Sequence, residues 1–286
     1  QESYFKVLMH YLKRKKVISW ALYDWANSAF ATTVMAGFFP LFFKSFWAAD
    51  LSPIESTAVV GTTNSLAGLF IVLLAPILGA YSDLGKLKKK FLAFFALLGV
   101  LSTGYLYFIQ QGDWIIAASL YALAVIGFSG GNIFYDSLIA SVSKQEQRNK
   151  VSSLGFSLGY LGGGLLFLIN VLMYLNPAWF GLSSQSEAIL WSFLSVAVWW
   201  GVFSLPLFMS IEEKSNAEIS KGLFKTITEA LKAVVSTLRE IKKHKRVAIF
   251  LIAYWLYIDG IDTIVRMAVA YGSDIGLDAS SMITAL

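Results

Sequence analysis

Seven stretches of the chain are apolar for long enough to cross a lipid bilayer. The hydrocarbon core is about 30 Å thick, and a helix rises about 1.5 Å per residue, so about 20 apolar residues span it. The seven stretches cover residues 18–43, 57–82, 91–109, 114–140, 151–174, 188–210 and 247–271. A backbone in lipid must satisfy its own hydrogen bonds, and these runs lack the alternation of strands. We therefore predict that each stretch is a membrane-spanning helix.

The composition excludes a soluble globular domain. Hydrophobic residues make up 57% of the chain and charged residues 14%, and the mean hydropathy is +0.63. Soluble domains contain about 25% charged residues. The runs are also apolar on all faces, which excludes the one-sided helices of a large soluble protein. The sequence thus predicts an all-α integral membrane protein.

Cysteine is absent, and the two histidines, His10 and His244, lie in basic polar segments. A chain without thiols forms no disulfide and no thiolate metal site, and two separated histidines do not make a zinc or haem centre. We predict no cofactor and no metal.

The distribution of Lys and Arg predicts the orientation in the membrane. If the N-terminus is cytoplasmic, every basic residue except Lys44 and Arg266 lies in a cytoplasmic segment. Such a bias is typical of the positive-inside rule. The basic charge is therefore an orientation signal and does not indicate nucleic-acid binding. We expect a multi-pass protein of the bacterial inner membrane with its N-terminus in the cytoplasm.

The longest polar stretch divides the chain. Residues 1–211 form a predicted six-helix bundle, residues 212–246 a cytoplasmic connector, and residues 247–286 the start of a second bundle. Apolar residues recur in the connector at three- and four-residue steps between lysines and arginines, which is typical of an amphipathic helix. Such a helix either lies on the anionic inner leaflet or is an ordinary solvated linker. The chain begins with Gln1, and an eighth apolar segment begins near Ser280, so we expect a fragment truncated at both ends.

The loop after the second stretch, "GAYSDLGKLKKKF", carries Gly79, Asp83, Gly85 and Lys86. Glycine permits close helix approach, and aspartate caps a helix N-terminus or pairs with lysines. The stretch resembles the loop signature of the major facilitator superfamily. It departs from that signature at Leu84, where a basic residue is common, and its second glycine comes one residue early.

Three further stretches resemble the vacuole-effluxer branch of this superfamily and its bacterial relatives. They are "WALYDWANSAFATTV", "KVSSLGFSLGYLGGGLLFL" and "AYWLYIDGIDTIVRMAVAYG". The resemblance implies twelve helices in two six-helix bundles around a central substrate path, which helices one, four and seven would line. It also implies that most of helix eight and helices nine to twelve lie beyond this chain.

The ionisable residues inside the predicted spans fall on the first, fourth and seventh spans only. They are Asp24, Asp136, Asp259, Asp262 and Arg266, and Asn27 lies one turn from Asp24. A charge at the bilayer centre costs about 2.5–3.5 kcal/mol on insertion scales, so such residues face a water-filled path or a partner. We expect these six residues to handle substrate or protons. For Asp24 and Asp136, near the inner helix ends, capping or pairing with loop lysines is an equal alternative.

On the seventh span, residues 259, 262 and 266 share one helix face. Asp262 and Arg266 are spaced as an i,i+4 pair, and Asp259 lies roughly 18 Å deep, near the midplane. We therefore expect Asp259 to carry the main role, with Arg266 balancing its charge through Asp262. Aromatic neighbours such as Tyr23 and Tyr135 suit a small zwitterion or a sugar.

Gly155, Gly159 and Gly163 recur every fourth residue of the fifth span. Small residues let helices approach closely in lipid, so we expect this face to pack tightly, with a hinge as the alternative.

These features together predict a secondary active transporter that moves a small polar solute by alternating access. The resemblance suggests an amino acid or a peptide as cargo. Protons are the expected coupling ion, because burial raises the pKa of an aspartate and a neighbouring arginine lowers it. The alternatives are a non-transporting receptor or structural membrane protein, and a Mg-dependent membrane prenyltransferase. The prenyltransferase would use Asp259 and Asp262 as its aspartate pair, but the chain has no second such pair, so we predict no enzyme.

Overall fold

The computed structural model describes residues 15–83, 87–213 and 223–286, and its regular elements in these ranges are helices. The helices are α1 (Lys15–Trp47), α2 (Pro53–Asp83), α3 (Lys88–Tyr105), α4 (Trp114–Val142), α5 (Arg148–Leu175), α6 (Gln185–Ser210), α7 (Leu223–Lys243), α8 (Lys245–Asp274) and α9 (Ala279–Ala285). Seven of the described helices, all but α7 and α9, are long and apolar enough to span a membrane. They overlap the seven predicted spans one to one, and the predicted all-α membrane fold is confirmed.

Local sequence signals explain several of the helix ends. Ser52 and Glu55 form a capping box at the start of α2: the Ser52 N–H donates to Glu55 Oε2 (2.9 Å), and the Glu55 N–H donates to Ser52 Oγ (3.3 Å). Ser184 Oγ accepts from the Glu187 N–H (3.1 Å) and begins α6 in the same way. Gly112, with a φ of 90°, makes the turn before α4.

Helix α1 forms the centre of the six-helix bundle, where it packs against α4, α5 and α6. Its large aromatic side chains, among them Phe30, Phe38 and Trp47, are fully buried. Glycines set the closest helix crossings. A methyl group at Gly127 of α4 would collide with the backbone of Gly99 in α3. The two backbones therefore touch there as tightly as glycine allows.

We call the half of α1 from Phe30 to Trp47 its outer half, because the predicted orientation places it away from the cytoplasm. This half departs from α-helical geometry. Residues Phe30–Phe38 and Phe43–Trp47 are π-helical, with an α-helical turn at Phe39–Phe42 between them. The Thr32 hydroxyl lies within hydrogen-bonding distance of the carbonyls of Ser28 (3.1 Å) and of Gly163 in α5 (3.2 Å). A hydroxyl at the i−4 carbonyl competes with the backbone ladder, which favours a local widening of the helix.

Helix α8 contacts the outer half of α1 and also α2. Its inner half, up to Ile264, carries exposed apolar side chains within the described structure, whereas Val269, Ala270 and Gly272 near its outer end are buried. Helix α7 lies in the predicted connector, directly before α8. The division into residues 1–211, 212–246 and 247–286 stays a prediction.

Candidate functional site

Asp24 and Asn27 lie in the inner half of α1. Asp24 is half-buried against α5 and accepts a long hydrogen bond from Ser28 Oγ (3.4 Å). Asn27 is 1% exposed, and its Nδ2 donates to Oδ1 of Asn132 in α4 (2.6 Å). Its own Oδ1 has no hydrogen-bond partner among the described residues. The two predicted polar residues thus connect α1 to two different neighbours.

Asp136 is exposed on α4, next to the buried Tyr135. The Tyr135 ring stacks on Tyr23 of α1 (centroids 5.1 Å apart) and on Trp20 (4.4 Å). This stack brings Asp136 close enough to Asp24 for their charges to interact. Within the described chain, neither carboxylate forms an ion pair with a basic residue.

Arg266 connects α8 to the first bundle. Its Nη2 lies 3.6 Å from Asp262 Oδ2, and its Nη1 donates a weak hydrogen bond to Oδ1 of Asn64 in α2 (3.5 Å). The Tyr121 hydroxyl of α4 donates to the same Asn64 oxygen (3.1 Å). Asp259, in contrast, is exposed and has no hydrogen bond or ion pair among the described residues. The expected pair at Asp262 and Arg266 is present, and Asp259 stands apart from it.

The inner-loop signature is only partly described. Gly85 and Lys86 lie outside the described residues, as does the basic segment 1–14, and α2 ends at Asp83. A methyl group at Gly79 would meet no atom of the described residues within 4 Å. The role of the signature residues stays a prediction.

The close packing predicted for the glycine face of α5 is confirmed. A methyl group at Gly155 would lie 2.7 Å from Trp20, one at Gly159 2.8 Å from Ser28 Oγ, and one at Gly163 2.9 Å from the Ser28 carbonyl oxygen. All of these neighbours belong to α1. The glycines therefore let α1 and α5 touch along the turns that hold Asp24.

One polar cluster was not predicted from the sequence. Lys44 at the outer end of α1 forms an ion pair with Asp274 of α8, and its Nζ donates to Thr57 Oγ1 of α2 (2.8 Å). Thr57 Oγ1 in turn donates to Asp274 Oδ2 (2.7 Å). We call Lys44, Thr57 and Asp274 the outer clasp. Its one signal in the sequence is that Lys44 breaks the otherwise one-sided distribution of basic residues.

The Lys44 side chain is 8% exposed. A lysine that is buried to this degree needs a partner to keep its charge, and Asp274 supplies it. The outer clasp therefore joins the outer end of α8 to α1 and α2. Among the described residues, no group of three or more His, Cys, Asp or Glu side chains could hold a metal ion.

The chain is similar to known membrane proteins over nearly its whole length. The profile of the family described as "Vacuole effluxer Atg22 like" matches residues 12–145 and 140–284. An uncharacterized MFS-type transporter of Bacillus subtilis, YxiO, is 37% identical over 274 residues, which cover 95% of this chain and 63% of that protein. Autophagy-related protein 22 of Yarrowia lipolytica is 22% identical over 284 residues, covering 73% of this chain and 47% of that protein.

A solved structure shares the fold. The crystal structure of a D-xylose-proton symporter superposes with a TM-score of 0.58 at 15% sequence identity, covering 96% of this chain and 64% of the symporter. The chain thus spans somewhat less than two thirds of the length of the symporter and of YxiO. With the profile match over both halves of the chain, these likenesses show the family: the chain belongs to the Atg22-like vacuole effluxers of the major facilitator superfamily.

Proposed function

We propose that this protein is a secondary active transporter that moves a small polar solute across the bacterial inner membrane by alternating access. The outer clasp is the observation that carries this proposal. It joins α1, α2 and α8 at the outer end. An alternating-access transporter closes its outer end through such contacts in its inward-facing state.

The cargo in this proposal is an amino acid or a small peptide. The support is the family, which is described as vacuole effluxers. Proton coupling is also part of the proposal. The related symporter couples D-xylose to protons by its name, and Asp24, Asp136 and Asp259 are carboxylates inside spans, where ionisable groups relay protons in other transporters.

A reversible cross-link tests whether the outer end must open. Thr57 of α2 and Asp274 of α8 are hydrogen-bonded, so Thr57→Cys with Asp274→Cys places one thiol on each side of this contact for a disulfide or a short bifunctional cross-linker. The variant is made in full-length protein without other reactive cysteines and reconstituted into proteoliposomes. Uptake of labelled amino acids and dipeptides is then measured under a pH gradient, after oxidation and again after reduction.

We expect saturable uptake of at least one solute, loss of most of it on oxidation, and recovery on reduction. The matched control is Ser52→Cys with Glu55→Cys, a contacting pair within one half (Oγ to Oε2, 2.8 Å). Oxidation of the control pair should leave uptake unchanged. Uptake that continues through an oxidised 57–274 pair, or the absence of uptake for every solute, would overturn the proposal.

A further inference from the structure

Two Tyr-Asp dipeptides face each other across the inner half of the bundle. Tyr23 and Asp24 lie on α1, and Tyr135 and Asp136 lie on α4. The tyrosine rings stack at 5.1 Å with an interplanar angle of 29°. The Trp20 indole N–H donates to the Tyr135 carbonyl (3.0 Å). This hydrogen bond holds the two Tyr-Asp dipeptides at the same height along the bundle. The carboxylates that follow the two tyrosines are therefore held at one level on neighbouring helices.

The glycine face of α5 closes one side of this arrangement. A methyl group at Gly155 would lie 2.9 Å from the Tyr135 hydroxyl, and one at Gly159 would lie 3.0 Å from Asp24 Cγ. Positions four apart on a helix are neighbours, about 5–6 Å between Cβ atoms. The Tyr135 hydroxyl and the Asp24 carboxylate therefore lie against successive turns of α5.

The polar atoms of this site lack partners. Tyr135 is 4% exposed, and its hydroxyl has no hydrogen-bond partner among the described residues. The hydroxyl interacts electrostatically with both Asp24 and Asp136. Most buried polar groups in proteins are hydrogen-bonded, so a buried hydroxyl without a partner near two carboxylates indicates a site for a ligand.

We propose that Asp24, Asp136 and Tyr135 bind the ammonium group of an organic amine cation, which is the cargo or the amino end of it. This inference rests on the proposed transport function and names the chemical class of the cargo. An ammonium group donates three hydrogen bonds, and the two carboxylates and the tyrosine oxygen offer three acceptors.

Ligand-induced stabilisation of the purified full-length protein tests this inference without requiring transport. The probes are tyramine, putrescine and lysinamide, each compared with its fully N-acetylated form, which has no ammonium group. A ligand that binds only the native state raises the apparent melting temperature in a saturable way. We expect at least one amine to do so and its acetylated form to have no effect.

Four variants locate the binding. Asp24→Asn and Asp136→Asn should each weaken the amine about ten- to hundred-fold, since hydrogen bonds to charged groups are the strong ones. Tyr135→Phe should also weaken it, while the melting temperature without ligand stays the same or rises, because the removed hydroxyl had no partner. Asp113→Asn, at an exposed carboxylate on the outer side, should bind as wild type does.

Three results would overturn the assignment: no amine raises the melting temperature, the acetylated forms act equally well, or both aspartate variants bind the amine as wild type does. If one of these results is found and the oxidised 57–274 cross-link still blocks uptake, the proposed transport function is supported and the assignment of an amine as cargo is wrong. The Tyr135→Phe variant keeps the test usable if an aspartate variant fails to fold.

Discussion

Polar side chains inside the bundle fall into two groups at the scale of single residues. Some contact each other between helices, as Asn27 and Asn132 do at 2.6 Å. Others, such as Asp24 and Asp136, have no basic partner among the described residues. Polar groups are costly in a bilayer unless they are paired or face water. The second group is therefore where we expect ligands to bind.

Gly162→Ala should destabilise the protein, whereas Gly164→Ala should not. An added methyl group at Gly162 would lie 2.5 Å from the Trp25 carbonyl oxygen, and at Gly164 it would meet nothing within 4 Å. Overpacking costs about 1–3 kcal/mol, while alanine favours a helix over glycine by about 1 kcal/mol. Thermal unfolding in detergent measures both variants. Equal melting temperatures for the two would contradict the close contact of α1 with α5.

Asp259→Asn should leave stability unchanged and abolish pH-driven uptake. Asp259 is exposed and has no polar partner among the described residues, so removing its charge breaks no contact there. The matched variant, Asp262→Asn, removes an exposed ion pair to Arg266 and should cost about 0–1 kcal/mol. Melting temperatures and uptake are measured side by side. Normal pH-dependent uptake by Asp259→Asn would remove Asp259 from proton and substrate handling.

At the scale of helices, the spans could be predicted from the sequence. A long apolar run in lipid satisfies its backbone hydrogen bonds within itself only as a helix. The π-helical stretch Phe30–Phe38 could not be predicted, since its residues read as an ordinary apolar helix. Contacts between residues that are far apart in the sequence could not be predicted either. Lys44 and Asp274 are 230 residues apart, and charge alone gives no pairing. The nearness of Asp24 and Asp136 likewise depends on how Tyr23 stacks on Tyr135.

Lys44→Met should separate the outer end of α8 from α1 and α2. The substitution keeps the length of the side chain but removes the charge that binds Asp274 and Thr57. A cysteine in place of Val269, which is 2% exposed, reports on this opening. We expect a membrane-impermeant maleimide to label Val269→Cys slowly in the parent protein and quickly with Lys44→Met.

The exposed Ala49→Cys serves as the labelling control for the outer clasp and should react at the same rate in both backgrounds. The reversed pair Lys44→Glu with Asp274→Lys should restore protection of position 269, since the ion pair is regained. Unchanged labelling of position 269 in Lys44→Met would show that the outer clasp does not hold α8.

At the scale of the whole chain, α8 follows the helices that pack around α1, and the sequence predicts that it begins a second bundle. Helix α8 meets the first bundle at its outer end, and its inner half presents exposed apolar residues such as Phe250 and Trp255. In a transporter of this superfamily the two bundles rock about a central site. We propose that the outer clasp holds the outward side closed and releases when the protein opens outward.

Distances between spin labels on both sides of the membrane test whether the outer clasp holds the outward side closed. One pair, at Asp50 and Leu277, spans the outer ends of α1 and α8, and a second pair, at Gln145 and His244, spans the inner side. The full-length protein is labelled in nanodiscs with and without Lys44→Met. We predict that the substitution lengthens the outer distance and shortens the inner one, because the bundles rock as rigid bodies. An outer distance that lengthens while the inner one stays fixed, or no change in either, would contradict alternating access through the outer clasp.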